Sequence, residues 1–122
     1  MSELEGKRVL LVEDEAIIAL SLEDLLSDLG CRVVGPALNI DDAVSLALGE
    51  AFDAAVLDIN MGDGTSYRIA RTLTDRSIPF CFATGYGDTG VHPDFAGVPV
   101  LQKPYRQDAL ADVLRRMFRS QA

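Results

Sequence analysis

Several things are scarce in this 122-residue chain, and each scarcity closes a door. Basic residues are outnumbered, 11 to 19, leaving a net charge of −8. That sign argues against nucleic acid, whose phosphates reward Lys and Arg, and against anionic membrane surfaces. No apolar run approaches the roughly 18 residues of a membrane-spanning helix, and the acidic start Met1-Ser2-Glu3-Leu4-Glu5 lacks the apolar stretch of a signal peptide. The only cysteines, Cys31 and Cys81, sit among apolar neighbours and read as small buried hydrophobes in a reducing, cytoplasmic compartment. The single histidine, His92, lies in a glycine-rich stretch without a partner motif and reads as a surface residue. No GxxxxGK[S/T] occurs, and the glycines at 85, 87 and 90, though spaced as GxGxxG, open no helical pattern and so make no dinucleotide fingerprint. Tyr67, Tyr86 and Tyr105 are too dispersed for a nucleic-acid stacking platform. Repeats, low-complexity tracts and linkers are missing too, so residues 1–122 are expected to form one domain.

What remains is ordinary globular material, 48% apolar and 25% charged, arranged in alternation. Residues 9–12 form an apolar run that suits a buried strand. From Asp14 the pattern turns helical: Ile18, Leu22, Leu25 and Leu29 share a face, widened by Ile17 and Leu26, and Gly30 supplies the stop. A second strand over 31–34 is closed by Gly35-Pro36. Asn39 or Asp41 caps a helix whose apolar face is Ala43, Val44, Ala47 and Leu48. A third strand over 52–57 ends on Asp58, and Thr65 or Ser66 is placed to cap a third helix through about Leu73. Residues 79–83 make the fourth strand, ending at Thr84-Gly85. The stretch 85–97 holds four glycines and a proline, with only Val91 and Phe95 suited to burial, and reads as loop with one helical turn. Residues 98–102 form the fifth strand, Lys103-Pro104 follows, and the last helix buries Leu110, Val113, Leu114 and Met117.

Short apolar strands alternating with helices predict a parallel α/β sheet, because parallel strands need crossover connections. Right-handed crossovers put helices on both faces, and ligands bind outside the carboxyl ends of the strands. Glu13, Asp14, Asp58, Thr84 and Lys103 occupy those ends. Three carboxylates brought together repel one another unless a cation sits among them. Hard oxygen ligands, few enough to leave water in place, suit Mg²⁺. With a lysine and a hydroxyl added, the set is suited to a phosphoryl group, and a carboxylate can be the nucleophile that becomes an aspartyl phosphate.

Leu10-Leu11-Val12-Glu13-Asp14-Glu15, Val56-Leu57-Asp58-Ile59-Asn60-Met61, Phe82-Ala83-Thr84-Gly85-Tyr86 and Lys103-Pro104-Tyr105 together resemble the response regulator (CheY-like) receiver domain over essentially the whole chain. The Phe-Ala-Thr-Gly run is similar to the receiver subfamily named for that motif. The resemblance implies a flavodoxin-like, doubly wound five-stranded parallel sheet of order 2-1-3-4-5, with a fourth helix that is short or irregular. It implies a phosphoacceptor module of two-component phosphorelay signalling, not an enzyme acting on a separate substrate. Asp58 would accept the phosphoryl group from a histidine kinase or histidine phosphotransfer protein. Asp14, Asp58 and the backbone carbonyl of Asn60 would hold Mg²⁺, with Glu13 acting directly or through water. Lys103 would pair with phosphoryl oxygens, and Thr84 would move to hydrogen-bond one of them. Signalling would run through protein–protein contact with a downstream effector that the sequence does not name. The last helix ends near residue 119, so a stand-alone receiver without a DNA-binding domain is expected.

Three positions depart from the usual receiver pattern. The aromatic residue three before the lysine is Val100, the proline four after the acceptor is Gly62, and 85–97 lacks an amphipathic fourth helix. Output is therefore expected to come from ordering of 85–97. Taken singly, each site residue has a plainer explanation: Glu13-Asp14-Glu15 as favourable charge at a helix start, Asp58 as a turn cap, Thr84 as a local backbone partner, Lys103 as a solvated charge. Their joint order at four strand ends favours the site. Two alternatives stand beside this reading. One is a scaffold that keeps the fold and works without phosphorylation. The other is a Mg²⁺-dependent phosphatase with an aspartyl nucleophile, disfavoured because Asn60 stands where such enzymes carry a second aspartate.

Overall fold

The computed structural model describes residues 3–62, 64–85, 91–103 and 105–119. Five strands form one parallel sheet: β1 (Arg8–Val12), β2 (Arg32–Ala37), β3 (Ala54–Asp58), β6 (Phe80–Thr84) and β7 (Val100–Gln102). Their spatial order is β2-β1-β3-β6-β7, which is the expected 2-1-3-4-5 once a small extra hairpin is counted. That hairpin, β4 (Asn60–Met61) with β5 (Gly64–Thr65), was not anticipated and follows directly on Asp58. Among the described residues the α-helices are α1 (Ala16–Asp28), α2 (Ile40–Gly49), α3 (Tyr67–Asp75) and α4 (Gln107–Arg119).

The sheet divides the core in two. Leu22 and Leu26 of α1 and Leu110 and Leu114 of α4 pack on one face, with Val9, Leu11, Val56 and Cys81 beneath them. Ala43 and Ala47 of α2 and Ile69 and Leu73 of α3 cover the other, over Leu10, Leu57, Phe80 and Phe82. Successive strand residues alternate between the two faces, so β1, β3 and β6 must be apolar throughout. Short of their ends they are: every residue of β3 and β6 is buried, with polar Asp58 and Thr84 at the carboxyl ends, and β1 is buried after exposed Arg8.

Local readings meet the structure unevenly. Asn39 caps α2, its side chain accepting from the Asp42 N–H at 2.8 Å. Ser66 occupies the cap position of α3, yet its side chain makes no capping bond. Ile17, expected on the buried stripe of α1, is 84% exposed, and Leu48 of α2 is 64% exposed. Ala19, Leu22 and Leu26 hold the α1 face, and Ile17 lies about 200° round the helix from Ala19. Strand β2 does not stop at Gly35-Pro36 but runs through it, with a register shift opposite Leu10 and Val12. A proline is tolerated there because β2 is an edge strand. Glycine at 35 is required: φ is +98°, and a Cβ would stand 2.8 Å from the Ala37 amide nitrogen. Strand β7 starts two residues late, because the Val98 N–H turns back to the Phe95 carbonyl at 3.0 Å and Pro99 has no N–H to give. Of the loop 85–97, residues 91–97 carry one 3-10 turn, Pro93–Phe95, with Phe95 buried; residues 86–90 lie outside the described residues.

Candidate functional site

Register alone assembles most of the site. Val12 is opposite Leu57, so the next residues, Glu13 and Asp58, emerge side by side from β1 and β3. Asp58 is in turn opposite Ala83, one step before Thr84. Thr84 is opposite Gln102, and its carbonyl accepts from the Lys103 N–H at 3.0 Å. Each residue therefore reaches the same sheet edge because its strand ends there. Glu13, Asp58 and Thr84 are 0%, 5% and 2% exposed.

The charges then sort themselves. Lys103 Nζ lies 3.0 Å from Glu13 Oε2 and 3.1 Å from Asp58 Oδ2, one half-buried cation shared by two carboxylates. Among the described residues Oε2 is held by Lys103, while Oε1 accepts from the Glu15 N–H at 3.1 Å. Burial lifts the Glu13 carboxyl from 4.5 to about 7, against the pull of Lys103 and with the repulsion of Asp58 adding to it. For Lys103, burial disfavours its charge, but contact with Glu13 and Asp58 outweighs this and raises its pKa.

Asp14 completes the cluster: one oxygen from each of Glu13, Asp14 and Asp58 lies within 4.8 Å of the others. Among the described residues Asp14 makes no ion pair; its Oδ2 accepts from the Gly62 N–H at 2.6 Å. Three carboxylates facing one ammonium leave negative charge uncompensated. An all-oxygen donor set carrying uncompensated negative charge is what a hard divalent cation requires.

The sequence-predicted residues are thus largely brought together. Glu13, Asp14 and Asp58 are in mutual reach, Lys103 pairs with Glu13 and Asp58, and Thr84 is adjacent by register. Asn60 opens β4, exposed and opposite Thr65. Val100 is half-buried in β7 opposite Phe82. Pro104 and Tyr86 lie outside the described residues. Cys31 and Cys81 are buried thiols, as read; burial pushes Cys81 up to about 12.

Two features escaped the sequence. The Gly62 amide appeared only as a missing proline, since a backbone donor has no letter of its own. Tyr105 has a buried hydroxyl without a hydrogen-bond partner among the described residues, and burial, then the charges of Glu13 and Asp58, raise its pKa. It lines a cleft of about 410 Å³ with Ile17, Ile18, Ser21 and Lys103. His92 is exposed, as expected, and also takes part in local hydrogen bonds. Its Nδ1 accepts from the Asp94 N–H at 3.1 Å, and its own N–H donates to the Tyr67 hydroxyl at 2.9 Å.

Comparison with known proteins agrees with this geometry. Residues 9–115 match the family model described as response regulator receiver domain. The solution structure of SdrG from Sphingomonas melonis Fr1 is 40% identical and superposes with a TM-score of 0.82, over 97% of this chain and 99% of that one. The receiver domain of sensor histidine kinase PA1611 from Pseudomonas aeruginosa PAO1 is 28% identical over 92% of this chain and 97% of that one, with a TM-score of 0.79; that crystal structure has a magnesium ion coordinated in its active-site cleft. The phyllosphere-induced regulator PhyR of Methylorubrum extorquens is 31% identical over 87% of this chain, but only 41% of PhyR is matched. The chain spans less than half the length of the curated relatives it matches.

Proposed function

The chain belongs to the response regulator receiver domain family, and from that premise we propose that it is a phosphoacceptor, taking a phosphoryl group on Asp58 in a Mg²⁺-dependent reaction and signalling through protein contacts. Receiver domains are signalling domains of two-component systems. The observation that carries the reading is the cluster at the strand ends: three carboxylates within 4.8 Å of one another, two of them on Lys103.

In this reading a carboxylate oxygen of Asp58 attacks the phosphorus of a phosphohistidine. The P–O bond forms in line with the breaking P–N bond, and the imidazole leaves with that electron pair. Asp14, Asp58 and the Asn60 carbonyl, with Glu13 direct or through water, would hold Mg²⁺, which would neutralise charge on the phosphoryl oxygens. Lys103 orients Asp58 before transfer, and its ammonium is already placed to pair with a phosphoryl oxygen afterwards. Thr84 donates its hydroxyl to another such oxygen. The cleft beside Lys103, with exposed Ile17 on its rim, gives a donor protein an apolar foothold next to the site. The phosphodonor is a histidine kinase or histidine phosphotransfer protein, and the setting is cytoplasmic.

Intact mass after incubation with a small phosphodonor tests this directly. One phosphoryl adduct is expected with Mg²⁺, none with chelator, and none in Asp58→Asn. An adduct that persists in Asp58→Asn moves the acceptor elsewhere.

A further inference from the structure

The three carboxylates are not held alike. Lys103 takes Glu13 and Asp58, whereas Asp14 is held by a neutral backbone donor, the Gly62 N–H, at 2.6 Å. That donor is well anchored. It follows β4, whose Asn60 and Met61 pair with Thr65 and Gly64. Met61 is buried in the core, and the Ser66 N–H ties the far end of the hairpin to the Ile59 carbonyl at 3.0 Å. Gly64, at φ +144°, sits against the start of α2, where a Cβ would stand 3.0 Å from Ile40 Cδ1. At Gly62 a Cβ would stand 3.2 Å from Asp14 Oδ2, so the amide meets the carboxylate at close quarters.

Building on the Mg²⁺ reading above, we infer that the Gly62 N–H is a positioning donor for that cation. It holds the Asp14 carboxylate in place without neutralising it, and so couples cation binding to the 60–65 hairpin. A second ammonium would cancel the charge a cation needs; a backbone N–H orients the oxygen and leaves its charge available. Proline, usual at this position in receivers, has no such donor.

Alanine and proline at position 62 both add a Cβ, and only proline removes the N–H. Gly62 lies outside the left-handed region, so neither begins from a glycine-only backbone. Mg²⁺ affinity by calorimetry is therefore compared between Gly62→Ala and Gly62→Pro, with melting curves in chelator to establish folding. The proline variant should bind about ten-fold more weakly than the alanine variant. In wild type and Gly62→Ala, the residue-62 amide resonance should shift as Mg²⁺ is added. Equal affinities in the two variants, or an amide that does not respond, overturn the inference. If Gly62→Pro does not fold, the amide response decides alone. Wild type that binds Mg²⁺ while the variants agree defeats only this inference; wild type that binds none defeats the cation reading as well.

Discussion

The strand-end cluster and the ring cluster under residues 91–97 are opposite ways of finishing one sheet. At the strand ends, among the described residues, three carboxylates face one ammonium, which pairs with two of them. In the ring cluster, Tyr67 stacks on Phe95 at 5.5 Å, and Phe82 meets Phe95 edge-on at 5.6 Å. Around those rings, His92 caps the 3-10 turn and Arg71 pairs with Asp94. The second is close-packed and contributes to stability. The first is electrostatically unfinished, which costs stability in the metal-free protein and gives an incoming cation or phosphoryl group something to complete. A receiver needs both, because a site that must respond is held by elements that do not.

The sharpest way to break this contrast is at Lys103. Lys103→Ala should retain Mg²⁺ binding yet lose phosphorylation-dependent partner binding, and Lys103→Arg should not restore it, since a planar fork does not fill the space of an ammonium. Normal activation of Lys103→Ala, read by partner pull-down with and without phosphodonor, removes the lysine from the mechanism. On the ring side, Phe95→Ala should cost about 3 kcal/mol of folding stability by denaturant titration, with Mg²⁺ affinity unchanged. A large loss of Mg²⁺ binding there would show that the two regions are not independent.

A smaller effect separates them by pH. The Glu13 carboxyl titrates near 7 in the fold, against 4.5 for the ordinary group. Between those values the folded chain keeps a proton that the unfolded chain has released. Its stabilising contribution is therefore complete below 4.5 and is lost as pH rises through 7. The metal-free protein should weaken by on the order of 3 kcal/mol from this group alone, and Glu13→Gln should flatten the profile of melting temperature against pH. A flat wild-type profile in chelator would place Glu13 in an ordinary aqueous setting. Smallest of all, His92→Ala should cost about 1 kcal/mol through the lost cap, detectable by melting and silent in phosphorylation.

Much of this was legible beforehand because it depends on periods and ends. Apolar runs such as 54–57 mark strands buried on both faces, and parallel connections bring their carboxyl ends to one edge. The convergence of Glu13, Asp14, Asp58, Thr84 and Lys103 follows from those two facts. What the residue order alone determined, then, was which side chains meet. How they meet was decided by tertiary structure. Whether Lys103 would take two carboxylates or three depended on strand register and depth, quantities set by packing across the chain. The hairpin after Asp58, the donor at Gly62 and the exposure of Ile17 were settled the same way, by backbone atoms and helix rotation that residue letters do not encode.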